Sequence, residues 1–248
     1  MRIIISPAKQ MVEDNDSLLP ETVPVFLDSA KEIAEYMKGL SYLEAKKLWA
    51  CNDKIATENF ERFKDMNLDR NLTPAILSYD GIAFKYMAPA VFETGQFQYI
   101  QNHLRILSGF YGVLKPMDGV TPYRLEMQAK AGIGSTKDLY DYWKDSLYKE
   151  VQSGNDDRVI LNLASKEYSK SIEKYLETGD LFVTCIFGEY SGDKIVQKGV
   201  YAKMARGEMV RYMAEICAVK PEDIKSFNHL GYTFMPDLSD DSTYTFIR

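Results

Sequence analysis

The sequence predicts an α/β fold, α+β-like in its layout: a single compact domain over residues 1–248 with a mixed β-sheet surrounded by helices. Three observations lead there. Short continuous apolar runs of strand length stand at Arg2–Ile5, at 159–165 (VILNLAS) and at 181–187 (LFVTCIF). Stretches with helical spacing separate them, but strict βαβ alternation is absent, which disfavours a regular doubly wound sheet. Neither GxGxxG nor GxxxxGK[ST] occurs, so the common nucleotide folds lack their main signature.

The elements follow in chain order. Arg2–Ile5 ends at Ser6-Pro7, the pairing of an N-cap with the first helical position, so a helical turn is expected there. Residues 25–38 and 42–64 carry helical spacing, with Phe26, Ala30, Ile33, Ala34 and Met37 on one face and a break at Gly39. A third helix is expected over 96–107, with Phe97, Ile100, Leu104 and Leu107 in a stripe, and a fourth over 138–151. After the strand at 159–165 comes a helical segment. The strand at 181–187 then meets the turn GEYSGD and a hairpin partner, KIVQKGV. The last helix is read as Tyr201–Val219, with Ala202, Ala205, Met209, Met213 and Ile216 in one arc.

Composition narrows the function classes. The 248 residues are 46% hydrophobic and 27% charged, an ordinary globular balance. Cys51, Cys185 and Cys217 form no CxxC pair, and His103 and His229 stand alone, so no zinc site, disulfide framework, metal or cofactor is expected. A reducing, cytoplasmic setting is the expectation, with no membrane partner. The net charge of −6 hides an uneven spread. Acids crowd the ends at Glu13, Asp14, Asp16, Glu21, Asp237, Asp240 and Asp241, while Arg105, Lys115, Arg124, Lys203, Arg206 and Arg211 fall in motif-like segments. A basic groove on an acidic body is compatible with that pattern.

Four segments carry chemistry. In SPAK, Ser6 and Lys9 read either as a phosphate-binding helix start or as a capped helix with a solvated lysine. In HLRILSGFYGVLKP (103–116), the glycines allow a turn with exposed amides that could hold a phosphate oxygen; a plain helix end with a turn is the other reading. NLASKEY (162–168) sets Asn162, Ser165 and Glu167 at a strand end, a common position for sites, although Ser165 also suits a simple N-cap. In the last helix, Lys203, Arg206 and Arg211 lie within roughly 140° of one another. Gly207 sits mid-helix at a cost of about 1 kcal/mol relative to Ala, which calls for close approach of a backbone or a ligand.

Together with PYRLEM (122–127), LYDYW (139–143), YAKMARG (201–207) and the Gly231–Phe234 segment, these motifs resemble the YaaA family, linked to peroxide stress. The resemblance runs end to end. It implies a helix-hairpin-helix-like element at Ser108, Gly109, Tyr111 and Gly112, and DNA binding of low sequence specificity through a basic cleft. Lys9, Arg105, Arg124, Lys203 and Arg206 are the basic contributors so implied, and Arg211 joins them by its place on the basic side of the last helix. It also implies protection from hydrogen peroxide with lowered free iron. Where many members read G-D-x-Y, this chain has Gly81-Ile82-Ala83-Phe84, which removes that acid and hydroxyl. The residues leave an alternative open: an enzyme acting on a nucleotide or nucleic-acid base, with Ser6, Asn162 and Ser165 joining the basic residues in one pocket.

Overall fold

The computed structural model describes residues 1–14, 18–192 and 194–248; Asp16 and the Asp193 end of the GEYSGD turn lie outside them. Its main sheet has eight strands. From one edge the path runs Thr233–Phe234, Thr243–Ile247, Leu181–Ser191, Val159–Asn162, Arg2–Ile5, Leu104–Ser108 and Gly112–Leu114, with Lys194–Val196 paired to the long Leu181–Ser191 strand. The middle of the sheet is parallel and both edges are antiparallel, so the mixed α/β architecture expected from the sequence is the one observed. Arg2–Ile5 lies centrally because Ile3, Ile4 and Ile5 are apolar on both faces, and all three are at most 1% exposed. Ile3 stands between Leu104 and Leu161 in register.

That register puts the ends of three adjacent parallel strands side by side. Ser6 follows Ile5, Ser165 follows the Val159–Asn162 strand by three residues, and Ser108 ends the third. In open α/β sheets the crevice beyond the carboxyl ends of parallel strands is where side chains are free to meet a ligand.

Several helices depart from the sequence reading. The stripe over 96–107 divides into a helix, Thr94–His103, and the buried strand Leu104–Ser108. A strand buried on both faces is a continuous apolar run, and short runs of that kind carry no period that separates them from helix. The 42–64 stretch is two helices, Tyr42–Trp49 and Asp53–Asp65. Ala50 takes a left-handed conformation between them and Asn52 caps the second through the Ile55 amide, at 3.0 Å. Lys144, with φ 45°, similarly splits 138–151 into Leu139–Trp143 and Ser146–Gln152. No helix begins at Ser6-Pro7; the chain runs on irregularly to the two-residue strand Gln10–Met11.

The expected helix-hairpin-helix element is a β-hairpin. Leu104–Ser108 pairs antiparallel with Gly112–Leu114, with Ser108 opposite Gly112. Gly112 supplies the positive φ the turn needs, +73°. Ser108 Oγ accepts from the amides of Phe110 (3.1 Å) and Tyr111 (2.8 Å), closing the turn on itself. Gly109 serves a close approach. A Cβ there would lie 2.6 Å from Leu125 O and 3.0 Å from the Glu126 carbonyl carbon. The hairpin therefore packs tightly on the segment 122–127, and Trp49 Nε1–H holds the same segment by donating to Arg124 O at 2.6 Å.

The last helix, Gly199–Ile216, packs on Ile82–Met87 with Ala202, Ala205, Met209 and Met213 buried as their arc predicts; Ile216, at 43% exposed, lies outside it. Gly207 marks the crossing. An added Cβ would come within 1.9 Å of Ala83 O, so the close approach inferred from a mid-helix glycine is that of another backbone.

Candidate functional site: a cleft at the carboxyl ends of the parallel strands

A cavity of about 480 Å³ opens where these elements meet. Its walls come from Ser6–Lys9, from Asp80–Phe84, from Tyr123–Glu126, from Ser165–Tyr168 and from the last helix at Lys203 and Arg206. The parallel neighbours Arg2–Ile5 and Val159–Asn162 deliver the two serines into contact. Ser165 N–H donates to Ser6 Oγ at 2.8 Å, and Ser6 Oγ–H donates to Ser165 Oγ at 3.1 Å. The serine after each strand is thus tied across the strand ends at the cavity wall.

The 122–127 segment delivers Arg124 and Glu126. Arg124 Nη2–H donates to Glu126 Oε1 at 2.9 Å, and Lys9 Nζ reaches the same oxygen at 3.1 Å. Both Arg124 and Glu126 side chains are about nine-tenths buried, whereas Lys9 is exposed. Beneath them, Tyr123 O–H shares hydrogen bonds with Ser108 Oγ (2.6 Å) and Tyr79 O–H (2.8 Å). Burial pushes the Tyr123 phenol up to about 12, with hydrogen bonds from Ser108 and Tyr79 opposing the shift. The tyrosine is therefore neutral and acts as a strut.

Arg206 is the unusual group. It has no hydrogen bond or ion pair among the described residues, and its Nε is buried without a partner. Burial lowers its pKa, and the one charged-state partner that opposes this is the Cys185 thiol beneath it. Cys185 itself is 2% exposed and its thiol is pushed up by burial, so it is an inert hydrophobe. Lys203, one turn away on the same helix, is exposed and likewise makes no ion pair. A partly buried guanidinium with no acid beside it among the described residues is costly unless a ligand supplies the anion.

The cleft is not uniformly basic. Against Lys9, Arg124, Lys203 and Arg206 stand Asp80, Glu126 and Glu167. Asp80 is held by Lys85 at 2.9 Å. Glu167 opens the helix Lys166–Glu173, and its Oε1 accepts from the Gln128 amide at 3.2 Å. Burial raises its pKa and the Glu126 charge adds to the rise, while the Gln128 amide, Lys9 and Lys170 oppose it.

The family model described as peroxide stress protein YaaA matches residues 1–238. The chain belongs to the YaaA family. A UPF0246 protein of Agathobacter rectalis is 60% identical across the whole chain and 99% of that relative's length. One from Desulfitobacterium hafniense is 54% identical over the whole chain and 98% of its length, and one from Ligilactobacillus salivarius is 48% identical with both chains fully covered.

In this YaaA-family chain, Ser6, Lys9, Arg124, Ser165, Lys203 and Arg206 converge on one cleft. The other expected residues lie elsewhere. Ser108, Gly109, Tyr111 and Gly112 are buried in the hairpin, so its amides face protein and offer nothing to a phosphate. Arg105 is 4% exposed and donates to the carbonyls of Gln101 and Leu104; burial first, and then the Arg2 charge, brings its pKa down to about 10. Asn162 shapes the strand end, accepting from the Ala164 amide at 2.9 Å and donating to Thr184 Oγ1 at 3.3 Å. Arg211 pairs with Glu215 one turn on, at 2.9 Å. Asp80, Tyr123 and Glu126 were not singled out from the sequence. PYRLEM, a match to the family with no role attached beyond Arg124, was the available signal for two of them.

A second cavity, about 780 Å³, adjoins the first across the Lys9–Glu126 pair; both cavities are lined by those two residues. Lys47 and Lys130 stand on it beside Tyr36, Leu40 and Leu48.

Proposed function

We propose that this peroxide-stress family member is a cytoplasmic protein that binds nucleic acid by taking a single nucleotide unit into the Ser6–Arg206 cleft. One observation carries the reading: Arg206 is desolvated, lacks an acid partner among the described residues, and lines a cavity within the usual size range of ligand sites. A phosphate at Arg206 and Lys203 would supply the missing counter-charge. The adjoining cavity, with Lys47 and Lys130, would take the flanking chain of a DNA strand. The near-balance of the cleft, four cations against three carboxylates, favours one nucleotide held in a polar pocket over a duplex laid across a basic surface.

The enzymatic reading, action on a nucleotide or nucleic-acid base, is favoured by the convergence of the Ser6 and Ser165 hydroxyls with three carboxylates on the same cavity. Lowered free iron is proposed as a consequence of the protein's action on its target. No group of three metal-ligating side chains occurs among the described residues to hold iron directly.

Competition decides the main reading. A labelled DNA strand is titrated at two salt concentrations, with and without a saturating mononucleotide. The proposal expects mononucleotide to displace DNA, with affinity that falls as salt rises because phosphate contacts release counterions. DNA binding that persists against saturating mononucleotide and in the Arg206→Met variant would put the contact outside the cleft. Absence of binding to either ligand would end the proposal.

A further inference from the structure

We propose that the cleft selects guanine, with Glu126 and Glu167 reading the base while Arg206 holds the phosphate. The inference deepens the nucleotide reading above and rests on it.

Two sets of side chains lining the cavity differ in hydrogen-bonding sense. Arg206 has only donors and pairs with no carboxylate among the described residues. Glu126 and Glu167 line the same cavity. Each has one oxygen engaged: Glu126 Oε1 receives Arg124 and Lys9, and Glu167 Oε1 receives the Gln128 amide. Each leaves Oε2 without a protein donor among the described residues. The engaged oxygens fix the carboxylates, through a tightly packed segment in one case and a helix start in the other. The free oxygens are acceptors only, so a ligand placed against them must bring donors.

Phosphate is repelled by this carboxylate pair and belongs at Arg206. Among the common bases, adenine and cytosine each offer one amino group beside an acceptor, and thymine and uracil offer one N–H between two carbonyls. Guanine alone presents two neighbouring donors, N1–H and the N2 amino group, which suit ionised carboxylate oxygens. Charge-assisted bonds of this kind are the strong ones, and an analogue that lacks the donor leaves a buried acceptor unpaired.

The experiment compares guanosine, inosine, adenosine and cytidine 5′-monophosphates by calorimetric titration on the wild type and on two variants. Inosine differs from guanosine only by the missing N2 amino group. The proposal expects the guanosine nucleotide to bind about 10-fold more tightly than the inosine one, as loss of one charge-assisted donor implies. Glu167→Gln keeps a carbonyl for the Gln128 amide, so the local fold is retained, but it turns a donor toward the base and should erase that preference. Arg206→Met should weaken all four nucleotides alike. Equal affinity for guanosine and inosine in the wild type overturns guanine selection, as does a guanosine preference that survives in Glu167→Gln. Failure of all four to bind overturns the nucleotide reading and the selection with it.

Discussion

Gly207→Ala sets two forces against each other, and the geometry decides between them. In an exposed helix interior the change would be favourable by about 1 kcal/mol, since alanine is the better helix former. Here the new Cβ would fall 1.9 Å from Ala83 O and 2.7 Å from its carbonyl carbon, whereas ordinary contact begins near 3.4 Å. Both atoms are backbone in the neighbouring helix, so no side-chain rotation relieves the clash. Relief requires Gly199–Ile216 and Ile82–Met87 to separate by more than 1 Å, and gaps of about 0.5–1 Å already forfeit a quarter to a half of each dispersion contact. Overpacking costs about 1–3 kcal/mol, and a 1.9 Å approach to backbone belongs at the upper end, about 3 kcal/mol, which outweighs the propensity gain by about 2. For a chain of this size each kcal/mol moves Tm by about 2–4 °C, so a net loss of about 2 kcal/mol lowers Tm by about 4–8 °C. Thermal melting followed by circular dichroism reads it, with Gly39→Ala as control because nothing lies within 4 Å of the Cβ added there. A Gly207→Ala protein that melts at or above the wild type would refute the reasoning. Because the same helix carries Lys203 and Arg206, ligand affinity should fall together with Tm.

Two further outcomes follow from the interior of the site. Ser108→Ala removes the acceptor of two turn amides and a partner of Tyr123, all buried, and should cost about 1–3 kcal/mol in urea unfolding while leaving the slope unchanged. Glu167 has its pKa raised in the folded state, chiefly by burial, so the folded protein binds its proton more tightly than the unfolded chain does. Stability from this group is therefore greatest at low pH and declines as pH rises through the folded value. Glu167→Gln should match or exceed the wild type in Tm at pH 7, and the difference should vanish below the ordinary value of 4.5; a gap that widens on acidification would contradict the sign.

The strands were legible because parallel central strands are unbroken apolar runs, and Ile3–Ile5, LFVTCIF and VILN stand out as such. Leu104–Ser108 was hidden for the same reason in reverse. Its leucines continue the stripe of the preceding helix, and only pairing with the distant Arg2–Ile5 strand makes it extended. In the hairpin segment, glycine permits both a phosphate nest and a tight protein contact. The choice depends on Leu125–Met127, which the local sequence does not display. Four of the six basic residues, Lys9, Arg124, Lys203 and Arg206, do meet in one cleft. Arg105 differs by alternation along its strand and by a register no spacing reveals. The carboxylates were harder to see, because acids scattered through a sequence carry no period and gain meaning only from the segment that holds them.

The most direct measurement on the central claim is Arg206→Met, read for Tm and for mononucleotide affinity on the same preparation. If the guanidinium is kept desolvated and unpaired for the sake of an anionic ligand, a flexible apolar side chain of similar reach relieves that cost. The account predicts Tm equal to or above the wild type, with affinity reduced by about 10-fold or more, the scale of one lost charge-assisted contact. A lower Tm with undiminished affinity would make Arg206 a structural residue and contradict the account.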